Sequence, residues 1–165
     1  MIYFTSDTHY GHANVLEFDA RPFASIEEHD EQLIARYNAV VRPEDTCIHV
    51  GDFCLASSEY AESVCKRLNG TKILVHGNHD GSHAKMARIG FTFVTDQLVM
   101  HMGGRKVTVV HRPQDVMRST GQVVVHGHTH TKSRFGTSGF VHVGVVAWDY
   151  TPASYDEVAS LCEQA

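Results

Sequence analysis

Lys72 to Asp80, KILVHGNHD, is the stretch that decides the fold. Lys72 to His76 is a branched, apolar run that stops at Gly77, the form of a central strand delivering its next residues to a sheet edge. Packing has no use for Asn78, His79 and Asp80 in a row, because each carries polar groups that cost free energy when buried unpaired. Alone, Gly77-Asn78-His79-Asp80 reads equally as a plain polar turn or as a carrier of metal-binding or proton-transfer groups. The other strand ends decide between the two.

Upstream, Thr46 to Val50 is a second apolar run, ending in Gly51-Asp52-Phe53, and Ser58 to Leu68 reads as a helix with Asn69-Gly70 as its C-cap. Ser25 and Glu28 form a capping box for an amphipathic helix, Ile26 to Val41, and Ala13 to Phe18 reads as a shorter one. The first strand, Ile2 to Ser6, hands over to Asp7-Thr8-His9, a D-x-H spacing that puts two side chains on one side of an extended segment. This β-α-β-α-β alternation predicts a central sheet flanked by helices, with its site beyond the strands' carboxyl ends.

Downstream, His83 to Ile89 reads as a helix closed by Gly90. Strands then follow without helices between them: Phe91 to Val94, Leu98 to Met102, a Gly103-Gly104 hairpin turn and Arg105 to Val110. The last of these runs into His111-Arg112-Pro113. Gln122 to Val125 runs into His126-Gly127-His128-Thr129-His130, Gly139 to Val145 forms a final strand, and a capping box at Ser154 and Glu157 opens a C-terminal helix. The predicted architecture is one domain over residues 1–165 with two sheets.

With 42% hydrophobic and 20% charged residues among 165, the chain has the composition of an ordinary globule. Its net charge of −5 argues against a nucleic-acid coat or an electrostatic membrane binder. The first residues turn polar at Thr5-Ser6-Asp7, so they form neither a signal peptide nor a membrane span, and a cytoplasmic location is expected. Cys47, Cys54, Cys65 and Cys162 are far apart and read as reduced thiols. Thirteen histidines are several times ordinary usage, and imidazole is the commonest side chain on transition metals.

Five strand ends now carry metal-type ligands: Asp7 and His9, Asp52, Asn78 with His79, His111, and His128 with His130. A single histidine there would read as a satisfied turn, but five such ends together point to a metal centre. In the order D-x-H, G-D, G-N-H-D, H and G-H-x-H, the chain resembles the calcineurin-like metallophosphoesterase superfamily over nearly its whole length. SDTHYGHAN with Arg21-Pro22-Phe23 resembles its small stand-alone bacterial and phage phosphoesterases.

The resemblance implies an α/β fold, a two-sheet sandwich flanked by helices in four layers, α-β-β-α. It also implies two divalent transition-metal ions, manganese first, with iron, nickel, cobalt or zinc as alternatives. Asp7, His9, Asp52 and His130 would hold one ion, and Asp52, Asn78, His111 and His128 the other, because a carboxylate can offer an oxygen to each. Such ions, about 3.5–4 Å apart, activate a shared water and clamp an in-line displacement at phosphorus.

His79 is then the expected general acid for the leaving alkoxide, with Asp80 orienting it. His12, Arg21 and Arg112 are candidate phosphate contacts. Arg105, Lys106, Arg112, Arg118, Lys132 and Arg134, with only Asp115 as an acid among them, read either as a guide for an anionic substrate or as a solvated rim. Where the resembling subgroup tends to read N-V-G-V-D-x-W, this chain has His142-Val143-Gly144-Val145-Val146-Ala147-Trp148, with His142 as a hydrogen-bonding replacement for the Asn.

The implied activity is hydrolysis of a phosphodiester or phosphomonoester. The partner is a small phosphate-ester substrate, since neither an inserted lid nor a long basic groove is encoded; no membrane and no extended nucleic acid is expected. A nuclease is the enzymatic alternative and a non-catalytic protein-binding scaffold the competing class. The presence of His79 and every expected ligand speaks against the scaffold.

Overall fold

The computed structural model describes residues 1–116, 122–135 and 139–165. In chain order the strands are β1 (Ile2–Thr5), β2 (Thr46–His49), β3 (Thr71–Val75), β4 (Phe93–Thr95), β5 (Gln97–Met102), β6 (Arg105–Val110), β7 (Val123–His126), β8 (Phe140–His142) and β9 (Ala153–Ser154). The helices are α1 (Val15–Phe18), α2 (Ile26–Val40), α3 (Ser58–Arg67), α4 (His83–Ile89) and α5 (Tyr155–Gln164). At Ser154 and Glu157 the capping box is reciprocal, while at Ser25 only half of it forms: Ser25 Oγ accepts the Glu28 N–H, and the Glu28 carboxylate accepts the Ala24 N–H.

The first sheet has the order β4-β3-β2-β1-β9 and is parallel except for β9. In the second, of order β5-β6-β7-β8, β5 and β6 form an antiparallel hairpin and β6, β7 and β8 run parallel. The hairpin turns at Gly103 and Gly104, whose φ values of 55° and 68° fall in the left-handed region that glycine enters without steric cost. The strand expected at Phe91 to Val94 is β4, which no helix separates from β5; it pairs in parallel with β3, and α4 provides the crossover. The expected strand Gly139 to Val145 is also shorter, because Val145–Ala147 turns as a 3-10 helix. β9 has only two residues and left no periodic signal.

Two cores hold these layers together. Between the sheets, Phe4, Ile48, Val50 and Val75 meet Val107, Val109, Val123, Val125 and Val141, and α5 adds Val158, Ala159 and Cys162. Each fully buried Val or Ile is worth about 1.5–3 kcal/mol of transfer free energy, so this apolar interlayer fixes the sheet register. On the other face of the first sheet, Leu33, Ile34 and Tyr37 of α2, Val64 of α3 and Met86 of α4 pack over Cys47 and Leu74.

The parallel strands β1, β2 and β3 and, in the second sheet, β6 and β7 end near one seam. The Asp7 N–H donates to the Gly51 carbonyl at 3.0 Å, the Val145 N–H to Ser6 at 3.0 Å and the Gly127 N–H to His111 at 3.2 Å, so the loops beyond the strands are tied across both sheets.

Candidate metal centre

The chain leaves extended geometry as soon as β1 ends. Asp7 and His9 have φ of 57° and 50°, so the sequence expectation of an extended D-x-H segment is corrected: both residues are left-handed. Among the described residues, eight non-glycine positions have positive φ, and five of these are Asp7, His9, Asp52, His128 and His130. Each costs on the order of 1–3 kcal/mol unless the surroundings over-determine it. Backbone bonds hold them, including His9 N–H to Asp52 O at 3.1 Å and the His128 N–H, which both Asp7 carboxylate oxygens accept at 3.0 Å. Gly127 makes this approach possible, because a Cβ there would strike Ser6 Oγ and Asp7 Oδ2.

Two groups of side chains able to hold an ion converge at the seam: Asp7, His9, Asp52 and His130, and, sharing Asp52, His111 and His128. His9 Nε2 lies 3.2 Å from His130 Nε2 and 3.6 Å from Asp52 Oδ2. His130 Nε2 is 3.5 Å from Asp7 Oδ1, and His111 Nε2 is 3.3 Å from Asp52 Oδ2 and 3.1 Å from Asn78 Oδ1. For metal–ligand bonds of ~2.1 Å, the ligand-to-ligand edge is about 3.0 Å in an octahedron and about 3.4 Å in a tetrahedron. These spacings therefore fit the edges of a coordination sphere. Two imidazole nitrogens facing each other, and an imidazole nitrogen facing two oxygens, suit a shared proton or a cation between them.

The partners behind the imidazoles aim them. His130 donates Nδ1–H to both oxygens of Asp19 at 2.9 and 2.8 Å, which turns Nε2 inward. His111 donates Nδ1–H to the Val50 carbonyl at 2.8 Å with the same effect. Asp19 had no role in the sequence reading, and nothing in the sequence ties it to a histidine 111 residues away.

Arg21, expected to contact phosphate, is corrected. It is 4% exposed, and its guanidinium donates to the carbonyls of Asp7 and Thr8, to Asp19 Oδ2 and to His29 Nε2. His29 in turn donates to Asp30 at 2.6 Å, and Asp30 also accepts from Tyr60 and from the Gly11 N–H. Arg21 thus braces the ligand loop from inside.

Asp80 is corrected likewise. Expected to orient the His79 ring, its oxygens instead accept the backbone N–H groups of Asp52, Phe53 and Gly77 at 2.9–3.0 Å, which clamps the β2 and β3 loops together. His142 does not replace the expected Asn as a hydrogen-bonding group: it is fully buried, neither ring nitrogen has a hydrogen-bond partner among the described residues, and Nε2 stands 3.9 Å from Asp7 Oδ2.

His79 places its ring 5.7 Å from that of His9, while its N–H donates to Asp52 Oδ1 at 2.9 Å. The His12 ring is 6.0 Å from His9. Arg112 donates Nε–H to Asn78 Oδ1 at 3.1 Å on the exposed side. A cavity of about 500 Å³ adjoins Asn78, His111 and Arg112. Of the basic residues in that region, Arg134 is engaged, stacked 4.0 Å over Trp148 and donating to Ala147 O, and Arg118 lies outside the described residues.

Charge distribution follows from this packing. Burial works to raise Asp7, but the His130 hydrogen bond and the fields of His111 and His130 prevail and hold its carboxyl far below the usual range. Burial pushes His9 down to about 4 despite Asp7 and Asp52. Burial also works to lower His130, yet Asp19 and Asp7 lift it to about 10. The two imidazoles that face each other at 3.2 Å therefore sit in opposite fields, the charged form disfavoured at His9 and favoured at His130.

A family model described as the calcineurin-like phosphoesterase superfamily domain matches residues 1–155. An uncharacterized protein of Methanocaldococcus jannaschii is 30% identical over 174 residues, covering 99% of this chain and 92% of that protein. The gene 66 protein of Mycobacterium phage L5 is 30% identical over 194 residues, covering 96% and 92%. Among solved structures, a protein of unknown function from Aquifex aeolicus superposes with a TM-score of 0.74 at 25% identity, over 98% of each chain.

Proposed function

We propose, from the premise that this chain belongs to the calcineurin-like phosphoesterase superfamily, that it is a dinuclear metal-dependent phosphohydrolase acting on a small phosphodiester or phosphomonoester. The observation that carries this reading is the pair of His/Asp clusters joined through Asp52 at the sheet seam. Asp7, His9, Asp52 and His130 would hold one divalent ion and Asp52, Asn78, His111 and His128 the other, with manganese the first choice for this mixed nitrogen and oxygen set. Bound ions supply Lewis-acid polarisation of the phosphoryl group and activation of the attacking water.

The chain's own residues do the rest. Asp52 is fixed by the His79 N–H on Oδ1, which leaves Oδ2 facing His9 and His111. The His79 imidazole, beside His9, is the proton donor to the leaving oxygen. Arg112, anchored on Asn78, and His12 are positioned to meet phosphate oxygens. The cavity beside Asn78 and Arg112 has room for the organic part of a small ester.

Hydrolysis of bis-p-nitrophenyl phosphate and p-nitrophenyl phosphate with added Mn²⁺ tests this. The parent is expected to turn over at least one of them, Asp52→Asn to abolish turnover, and His79→Ala to slow it about 10²–10⁴-fold. Inactivity of the parent across several metals, or full activity of Asp52→Asn, rejects the reading.

A further inference from the structure

A second group of ligand-type side chains lies outside the centre just described. His76 follows β3, His83 is the first residue of α4, and Asp96 stands between β4 and β5. One ligand atom from each lies within 4.8 Å of the others. His83 Nε2 is 2.9 Å from Asp96 Oδ1, and the His76 and His83 rings meet edge to face with centroids 4.9 Å apart.

The three positions are set by ordered backbone. β3 and β4 are paired through Val75 and Thr95, and the His76 N–H donates to the Thr95 carbonyl at 2.8 Å, so His76 and Asp96 leave neighbouring strands in register. The Ser82 side chain caps α4, which fixes the backbone at His83, and His76 Nε2 donates to the Gly81 carbonyl at 2.8 Å. An exposed His83–Asp96 contact alone would be a surface ion pair of little worth. A second imidazole, His76, converging on that pair has no use in an ion pair, since it adds a second base beside the first.

We propose that His76, His83 and Asp96 form a further, mononuclear site for a divalent transition metal, separate from the Asp52 centre. Two imidazoles and one carboxylate suit zinc, and nickel or cobalt after it, while the nitrogen donors disfavour magnesium and calcium. Three protein ligands leave an open position, and the exposure of His83 and Asp96, 46% and 80%, gives it to solvent. The site brackets residues 77–82, so an ion there ties both ends of the loop that carries Asn78 and His79. His76 and Asp96 also line the same cavity as Asn78 and His111.

The test uses the full chain, stripped by chelator and dialysed against Zn²⁺, with metal content measured for the parent, His83→Ala, Asp96→Asn and Asp52→Asn. His83→Ala and Asp96→Asn are each expected to hold about one equivalent less than the parent. Asp52→Asn should lose ions from its own centre and keep this one, visible as zinc-dependent shifts of the His76 and His83 ring nitrogens in ¹⁵N NMR. Parent-like zinc content in both His83→Ala and Asp96→Asn, or unmoved His76 and His83 nitrogens in Asp52→Asn, overturns the proposal. Unchanged metal content in Asp52→Asn would instead count against the dinuclear centre alone. Asp96 is exposed enough that its variant retains the fold, which a melt in chelator checks against the parent.

Discussion

His9 Nε2 and His130 Nε2 face each other at 3.2 Å, from opposite sheets, with burial pushing the first down to about 4 and Asp19 with Asp7 lifting the second to about 10. A proton can bridge two such nitrogens, and a divalent ion can do so more strongly while neutralising Asp7 and Asp52. Saturating metal should therefore stabilise the fold by about 3 kcal/mol at a concentration 100-fold above the dissociation constant. That corresponds to a melting shift of roughly 6–12 °C for a chain of this size. Thermal melts with Mn²⁺ and with chelator measure it, and His130→Ala should remove most of the difference. Equal melts after confirmed metal removal would contradict it.

Asp19 would act on a bound ion through His130, whose Nδ1–H it accepts. Asp19→Asn keeps an acceptor for Arg21 but weakens the carboxylate that turns the imidazole, so metal affinity should fall about 10–100-fold. Titration calorimetry with Mn²⁺ reads this directly. An unchanged affinity would show that His130 is aimed by its left-handed backbone alone.

Arg21→Lys should destabilise the protein by about 3 kcal/mol in urea unfolding, because an ammonium cannot reproduce a buried fork that donates to Asp7, Thr8 and Asp19 together. A phosphate-binding arginine would behave in the opposite way, with unchanged stability and a raised KM.

Acid should unfold the chain through His49. It is 4% exposed, its Nε2–H donates to Thr8 Oγ1 at 2.9 Å, and burial holds it down to about 4. Above its ordinary value near 6.5 both folded and unfolded chains leave it neutral. Between 6.5 and about 4 the unfolded chain takes a proton that the folded chain refuses, so stability is lost as pH falls, by up to about 1.4 kcal/mol per pH unit. Denaturation of parent and His49→Gln from pH 7 to 4 checks the sign: the variant should show the shallower loss.

Strand ends and ligand types were legible in the sequence because they are local. An apolar run followed by Asp, Asn or His marks both the strand and its cargo, and the capping boxes at Ser25 and Ser154 mark helix starts in the same way. The residues that aim the ligands were not legible. Asp19 meets His130, and Asp80 meets the Asp52 loop, only after both sheets have formed, and neither pairing leaves a periodic trace. Arg21 and His142 show the limit of residue type: a guanidinium and an imidazole near a phosphate site were read by chemistry, and burial assigned them otherwise. Which sheet β4 joins was not legible, because a three-residue edge strand looks the same in either sheet.

The distance along the chain between Asp7 and His130 has a consequence for how the protein is made. The contacts that bring the proposed ligands of the first ion together join residues 121 apart, as in His9 with His130. A ribosome exposes Asp7, His9 and Asp52 long before His128 and His130 exist, and pairings of such separation are late events in folding. The emerging chain can hold no complete Asp52 centre, so an ion bound there would be captured after the assembly of both sheets and would select a finished fold in place of seeding it.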